Sequence, residues 1–199
     1  MKQHERRQQT IQTLLQATKQ LIEEKGCDLI TLKDIMERSG LSKGAIFHYV
    51  KTKDEIYALV LLERLEEINQ RFENQVREPK KEFEGPFREI TKNMISLNEP
   101  KEITNQILIY LLSKTGRAEI DNSLKQFYDQ SIFLSQQWIK AGKDHDVISE
   151  NVDVEKMGEL LVLISLGLRM RTFIPSDEQI FQTDDFIRFM KEILQNSIH

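Results

Sequence analysis

Glycine and proline are scarce and widely spaced in this chain, and that limits its fold more than any other feature. Its 199 residues hold 8 glycines and 4 prolines. Strand-rich folds need a turn signal about every 8–12 residues, so this little punctuation predicts long helices. Apolar residues recur at spacings of three and four, the mark of one buried helical face. The first such segment runs from about Glu5 to Lys25, carries Ile11, Leu14, Leu15, Leu21 and Ile22, and stops at Gly26. Thr31 followed by Asp34 reads as an N-cap with an acid three residues on, and Thr52 followed by Glu55 as a capping box. Ser42 caps a short piece, Lys43 to about Val50. The helix opened by Thr52 meets no glycine or proline before Pro79. Further helices are predicted over about 86–97, 101–114, 118–141 (ended by Gly142), 153–173 and 184–197. The expectation is an all-α fold of about nine helices with no strand.

Composition narrows the function classes. Hydrophobic residues at 39% and charged residues at 30% suit a soluble globular chain. The longest apolar run, Leu160 to Leu168, has 9 residues and contains Ser165 and Gly167. A membrane span needs roughly 20. The lone Cys27 excludes an internal disulfide framework and reads as a small buried hydrophobe in a reducing compartment. No secretory leader is read at the N-terminus, so a cytoplasmic protein is expected. No His-Glu-x-x-His, Gly-x-Ser-x-Gly, P-loop or Gly-x-Gly-x-x-Gly pattern occurs. Asp144-His145-Asp146 reads as a solvated loop, and His4 and His199 as terminal residues. No enzyme, metal site or cofactor is expected.

Net charge is −4, but it is unevenly placed. Residues 1–53 hold ten Lys/Arg against six Asp/Glu, a balance of +4, and the remainder carries −8. A basic first quarter on an acidic body is the asymmetry of a chain that meets phosphate at one end.

The informative stretch is TLKDIMERSGLSKGAIFHYVKTK, Thr31 to Lys53. Two short capped helices joined by Ser39-Gly40-Leu41 have the form of a helix-turn-helix, in which the first helix braces the second and the second enters the DNA major groove. Ser42, Lys43 and the open amides at the second helix's start suit phosphate. Gly44 lets backbone approach DNA closely. Ala45, His48 and Tyr49 are expected outward, and Ile46, Phe47 or Val50 against the brace.

Thr31-x-x-Asp34-Ile35, then Gly40-Leu41-Ser42-Lys43-Gly44-x-Ile46-Phe47-His48-Tyr49-x-x-Thr52-Lys53-Asp54-Glu55, resembles the DNA-binding domain of TetR/AcrR-family bacterial repressors over about residues 8–56. The resemblance implies phosphate contacts from Thr31, Ser42, Lys43, Gly44, Phe47, Tyr49 and Lys53, and base or phosphate contacts from Ala45 and His48. Two positions depart from the family pattern. Phe47 stands where tyrosine is common, which removes a hydroxyl, and Val50 where phenylalanine is common, which thins the packing beneath. The expected organisation is a helix-turn-helix domain over residues 1–53 and a ligand-binding and dimerisation domain over residues 54–199.

In this family the middle helices enclose a ligand pocket, which makes Phe87, Met94, Tyr110, Phe127 and Trp138 candidates to line it and an apolar or aromatic effector the candidate ligand. The apolar helix over 153–173, with Gly158, Ser165 and Gly167 for close approach, and the helix over 184–197 suggest a two-fold homodimer through a four-helix bundle. The expected function is a ligand-responsive transcriptional repressor on a palindromic double-stranded DNA operator, with no membrane partner. The alternative is a DNA-binding adaptor regulated by a protein partner.

Overall fold

Local signals account for where most helices begin and end. The computed structural model describes residues 3–77, 84–99, 101–175 and 180–195, with side chains described except at 3, 4, 84–89, 183 and 195. These residues form α1 (Gln3–Leu29), α2 (Leu32–Ser39), α3 (Lys43–Phe47), α4 (Lys53–Val76), α5 (Glu84–Leu97), α6 (Ile103–Leu112), α7 (Ala118–Asp144), α8 (Val154–Arg171) and α9 (Thr183–Gln195), with no strand among them. The fold is all-α, as the spacing predicts. Gly26 breaks α1 in the left-handed region (φ 73°), and one short turn, Cys27–Leu29, follows it. Gly40 (φ 66°) closes α2, and its N–H donates to Met36 O. Both positions need a residue free of Cβ strain.

Gly142 departs from expectation. It does not end the seventh helix, because α7 continues through it to Asp144. Packing explains the residue instead. A Cβ at 142 would lie 2.4 Å from Ile148 Cδ1 and 2.7 Å from Cγ1. The Gly142 carbonyl accepts from the N–H groups of Val147 and Ile148 at 3.0 and 3.1 Å, which closes the following loop. Gly142→Ala is expected to destabilise by about 1–3 kcal/mol through overpacking, read as a lower urea midpoint with an unchanged slope.

The chain clusters into two compact units. One comprises Met1–Arg64 and Ile103–Phe127, the other Leu65–Glu102 and Tyr128–His199. This division differs from a boundary between residues 53 and 54. The first turns of α4, all of α6 and the start of α7 group with the helix-turn-helix, because α6 packs on α1 and its Tyr110 ring meets the α4 ring of Tyr57 edge-on at 5.1 Å. Leu14, Ile22, Ile35, Ile46, Tyr57 and Ile107 are fully buried in this unit. In the other unit, Met94 and Leu97 of α5, Ile139 of α7, Leu161 and Leu168 of α8, and Phe186, Met190 and Leu194 of α9 form one core cluster.

Candidate nucleic-acid interface and apolar cavity

The helix-turn-helix is held by caps of its own sequence. Thr31 Oγ1 accepts from Asp34 N (3.2 Å) and donates to the Asp34 carboxylate, which also accepts from Thr31 N (2.8 Å) and from Lys25 Nζ (3.1 Å). Bonds from Thr31, then from Lys25, hold the Asp34 carboxyl well below the usual range. A depressed folded value stabilises above the unfolded pKa and is lost as pH falls through it. Asp34→Asn should therefore lower the melting temperature at neutral pH, and the gap should close as pH drops below about 4. Arg38 braces α2 on α1 through two bonds to Glu24 (2.7 and 2.8 Å).

Ser42 caps α3, its Oγ accepting from Ala45 N at 3.2 Å. Ile46 and Val50 are buried, while Lys43, Gly44, Phe47 and His48 are exposed. Residues 43, 44, 47 and 48 share one side of a helix, so this face is open for contact. Phe47, 40% exposed, belongs to it rather than to the brace, and Lys43 Nζ lies 5.4 Å from its ring centre. Ala45 and Tyr49 are half-buried. Tyr49 meets His48 edge-on at 4.9 Å and carries the Arg7 guanidinium 5.7 Å from its ring centre. Arg7 thus stands beside the recognition helix, a neighbour that motif reading missed because it lies some forty residues away in sequence.

Lys53 sits differently from the phosphate-facing role implied by the resemblance. Its ammonium donates to three backbone carbonyls at the end of α1: Ile30 O (2.6 Å), Cys27 O (3.1 Å) and Asp28 O (3.4 Å). An ammonium has three donors, so its hydrogen-bonding capacity is taken. Burial, and after it the charge of Lys114, holds its pKa below the ordinary lysine value. Tyr57 OH also donates to Cys27 O (2.9 Å). Burial pushes the Cys27 thiol up to about 12, which leaves it inert as a nucleophile.

Tyr110 belongs to the same assembly. Its OH donates to Asp54 Oδ1 (2.9 Å), and Lys114 Nζ donates to both Asp54 oxygens (3.2 Å each) and to the Tyr110 hydroxyl. Burial and the bond to Asp54 raise the Tyr110 pKa. Asp54 of α4 and Lys114, two residues past the end of α6, form an ion pair that periodicity alone could not place.

The second unit contains an apolar cavity of about 210 Å³. Met94 and Trp138 line it, with Ile148, Leu161, Phe186 and Met190 among the other walls. Tyr110 and Phe127 do not line it: both are buried in the first unit, where Tyr110 holds Asp54. The side chain of Phe87 lies outside the described residues. Trp138 Nε1 donates to Asn69 Oδ1 of α4 at 3.2 Å, and its ring lies 5.5 Å from Phe72.

Residues 14–60 match the family described as "Bacterial regulatory proteins, tetR family". The likeness to that family in sequence lies in these residues. The match covers the helix-turn-helix and the first turns of α4. A curated relative, "Uncharacterized HTH-type transcriptional regulator YfiR" of Bacillus subtilis (strain 168), is 33% identical over 54 residues, 27% of this chain and 26% of that protein. The matched stretch thus spans about a quarter of that relative's length. Over nearly the whole chain the fold is that of TetR-family regulators. A putative TetR-family regulator from Syntrophomonas wolfei str. Goettingen superposes with TM-score 0.68 at 21% identity, covering 96% of this chain and 99% of that one. The SmeT–triclosan complex superposes with TM-score 0.64 at 16% identity, covering 92% and 90%. SmeT is the repressor of the Stenotrophomonas maltophilia multidrug efflux pump SmeDEF.

Beyond the matched residues, α8 buries one side and leaves another exposed in the single chain. Its inner side buries Gly158, Leu161, Val162 and Leu168. Gly158 faces Gln136 of α7, where a Cβ would lie 2.6 Å from Gln136 Cγ, so its smallness serves packing inside the chain. The outer side exposes Leu160, Leu163 (51%) and Met170 (42%), and Gly167 has open space before it. Positions 160, 163, 167 and 170 form one helical stripe. On α9, Phe189 is 44% exposed, while Phe186 and Met190 are buried. Among the described residues no helix is long and apolar enough to cross a membrane.

Proposed function

We propose that this protein is a ligand-responsive transcriptional repressor that binds a palindromic DNA operator as a homodimer and leaves it when a small apolar effector fills the cavity. The observation that carries this reading is the exposed face of α3, with Lys43, Gly44, Phe47 and His48, on a TetR-family helix-turn-helix. Thr31, Ser42, Ala45 and Tyr49 flank that face in sequence and complete the proposed contact set. Two recognition helices enter successive major grooves about one helical turn (~34–36 Å) apart. Phosphate contacts dominate affinity and make it steeply salt-dependent.

The apolar stripe of α8, with Phe189 of α9, is the proposed two-fold interface. A self-complementary apolar patch suits an isologous contact. The link between effector and DNA runs through Trp138. It lines the cavity and also holds Asn69 and Phe72 of α4, and α4 begins at Lys53, directly after the helix-turn-helix. An effector that binds better with α4 in one position shifts the spacing of the recognition helices by as much as that preference allows. The SmeT–triclosan complex supports an apolar effector by analogy of fold.

In-vitro selection of random duplex DNA by the purified protein tests the reading. Enrichment of one palindrome is the expected result. Recovery of no preferred sequence, with only salt-sensitive general binding, overturns it.

A further inference from the structure

We infer that Arg7 of α1 is a further DNA-contacting residue, one that meets a phosphate of the duplex beside the far end of α3. This rests on the reading of α3 as the recognition helix and extends the contact set beyond the helix-turn-helix motif.

Position comes first. Residues 7, 11 and 14 share one face of α1. Along it Leu14 is buried, Ile11 half-buried and Arg7 exposed. The face leaves the core as it runs toward the start of the helix, and at Arg7 it changes from apolar to charged. The guanidinium lies 5.7 Å from the centre of the Tyr49 ring, and that ring meets His48 edge-on at 4.9 Å. His48 belongs to the exposed face of α3, so a single ring separates Arg7 from the proposed DNA contact. Lys43 stands at the other end of that face, 5.4 Å from the Phe47 ring centre. The face is thus bracketed by a cation at each end, one from α3 itself and one from α1.

Chemistry decides the partner. Arginine stays charged at any working pH, and its planar fork of five N–H donors matches the oxygens of a phosphate. A cation–ring contact acts on the charge as a whole. It orients the guanidinium at Tyr49 while the donor fork serves an oxygen. In sequence no acid stands three or four positions from Arg7, where a helix would pair it: those positions are Gln3, His4, Thr10 and Ile11. Reading a base edge requires a side chain inside the groove. Arg7 is carried by α1 and has Tyr49 between it and His48, which favours the phosphate backbone.

Fluorescence anisotropy of the full-length protein tests this on two duplexes, the palindrome enriched by selection and a mixed-sequence duplex, over about 50 to 200 mM salt. Arg7→Gln is expected to weaken binding to both duplexes alike, by about tenfold per subunit at the lowest salt, as for one lost charge-assisted bond. It should also flatten the salt slope by about 0.9 per subunit. Arg7→Lys keeps the charge and should keep the slope. Melting curves of both variants report the fold separately. An unchanged slope in Arg7→Gln overturns the assignment: with a lower melting temperature Arg7 only braces Tyr49, and with a relaxed palindrome preference it reads a base. If Lys43→Ala flattens the slope while Arg7→Gln does not, this inference alone fails. A parent protein that binds neither duplex overturns the DNA-binding reading itself.

Discussion

Leu163→Asp is expected to leave the protein folded but monomeric, and to lower operator affinity by two to three orders of magnitude. Leu163 is 51% exposed in the single chain, so the substitution disturbs little of the monomer's own core. Across a two-fold interface each substitution acts twice, because the same patch meets itself. A carboxylate carried into such an interface without a partner costs about 3–5 kcal/mol, and each 1.4 kcal/mol is tenfold in affinity. One half-site then binds without the second, and the contribution of the linked site is lost. Sedimentation velocity gives the mass in solution, and an operator titration gives the affinity. A Leu163→Asp protein that remains a dimer would place the two-fold contact elsewhere than the stripe of Leu160, Leu163, Gly167 and Met170.

Lys53→Met should unfold more easily, by about 2–3 kcal/mol, the usual scale for removing a charged donor from buried acceptors. The Ile30 carbonyl would lose this donor, and the Cys27 carbonyl would keep the Tyr57 hydroxyl alone of the two side chains, just after the break of α1 at Gly26. With total stability for such proteins of about 5–15 kcal/mol, this is a large share. Urea unfolding measures it. The same variant separates two roles for this lysine. Under conditions where it stays folded, the salt dependence of DNA binding should match that of the parent protein, whereas Lys43→Ala should flatten the slope by about one phosphate per subunit. A flattened slope with undiminished stability in Lys53→Met would mean that Lys53 leaves the carbonyls for a phosphate on binding.

Lys53 also shows where sequence reading stops. Its place after Thr52, beside the helix-turn-helix, marks it as a cation near the motif. Its acceptors lie 23 to 26 residues upstream, and only folding brings them to it. Tyr110 and Phe127 failed as cavity residues for a similar reason. On a helical projection they are as apolar and as well placed as Met94 and Trp138. Tyr110 goes with the first unit because α6 packs on α1, and α7 itself divides between the units after Phe127; neither is written in local pattern.

The sequence by itself determined the helical class, the capped turns at Thr31–Asp34 and Ser42, the stops at Gly26 and Gly40, and the motif that marks a DNA reader. These rest on interactions within four residues or on the φ of one residue, so the letters alone carry their energy. Only the tertiary structure decided that Gly142 makes room for Ile148, that Phe47 faces outward, that the cavity is walled by α9 as well as α5 and α7, and that α8 keeps one apolar side uncovered. Each of these turns on which surface meets which across long chain separations, and helical periodicity gives an apolar face no address for its partner.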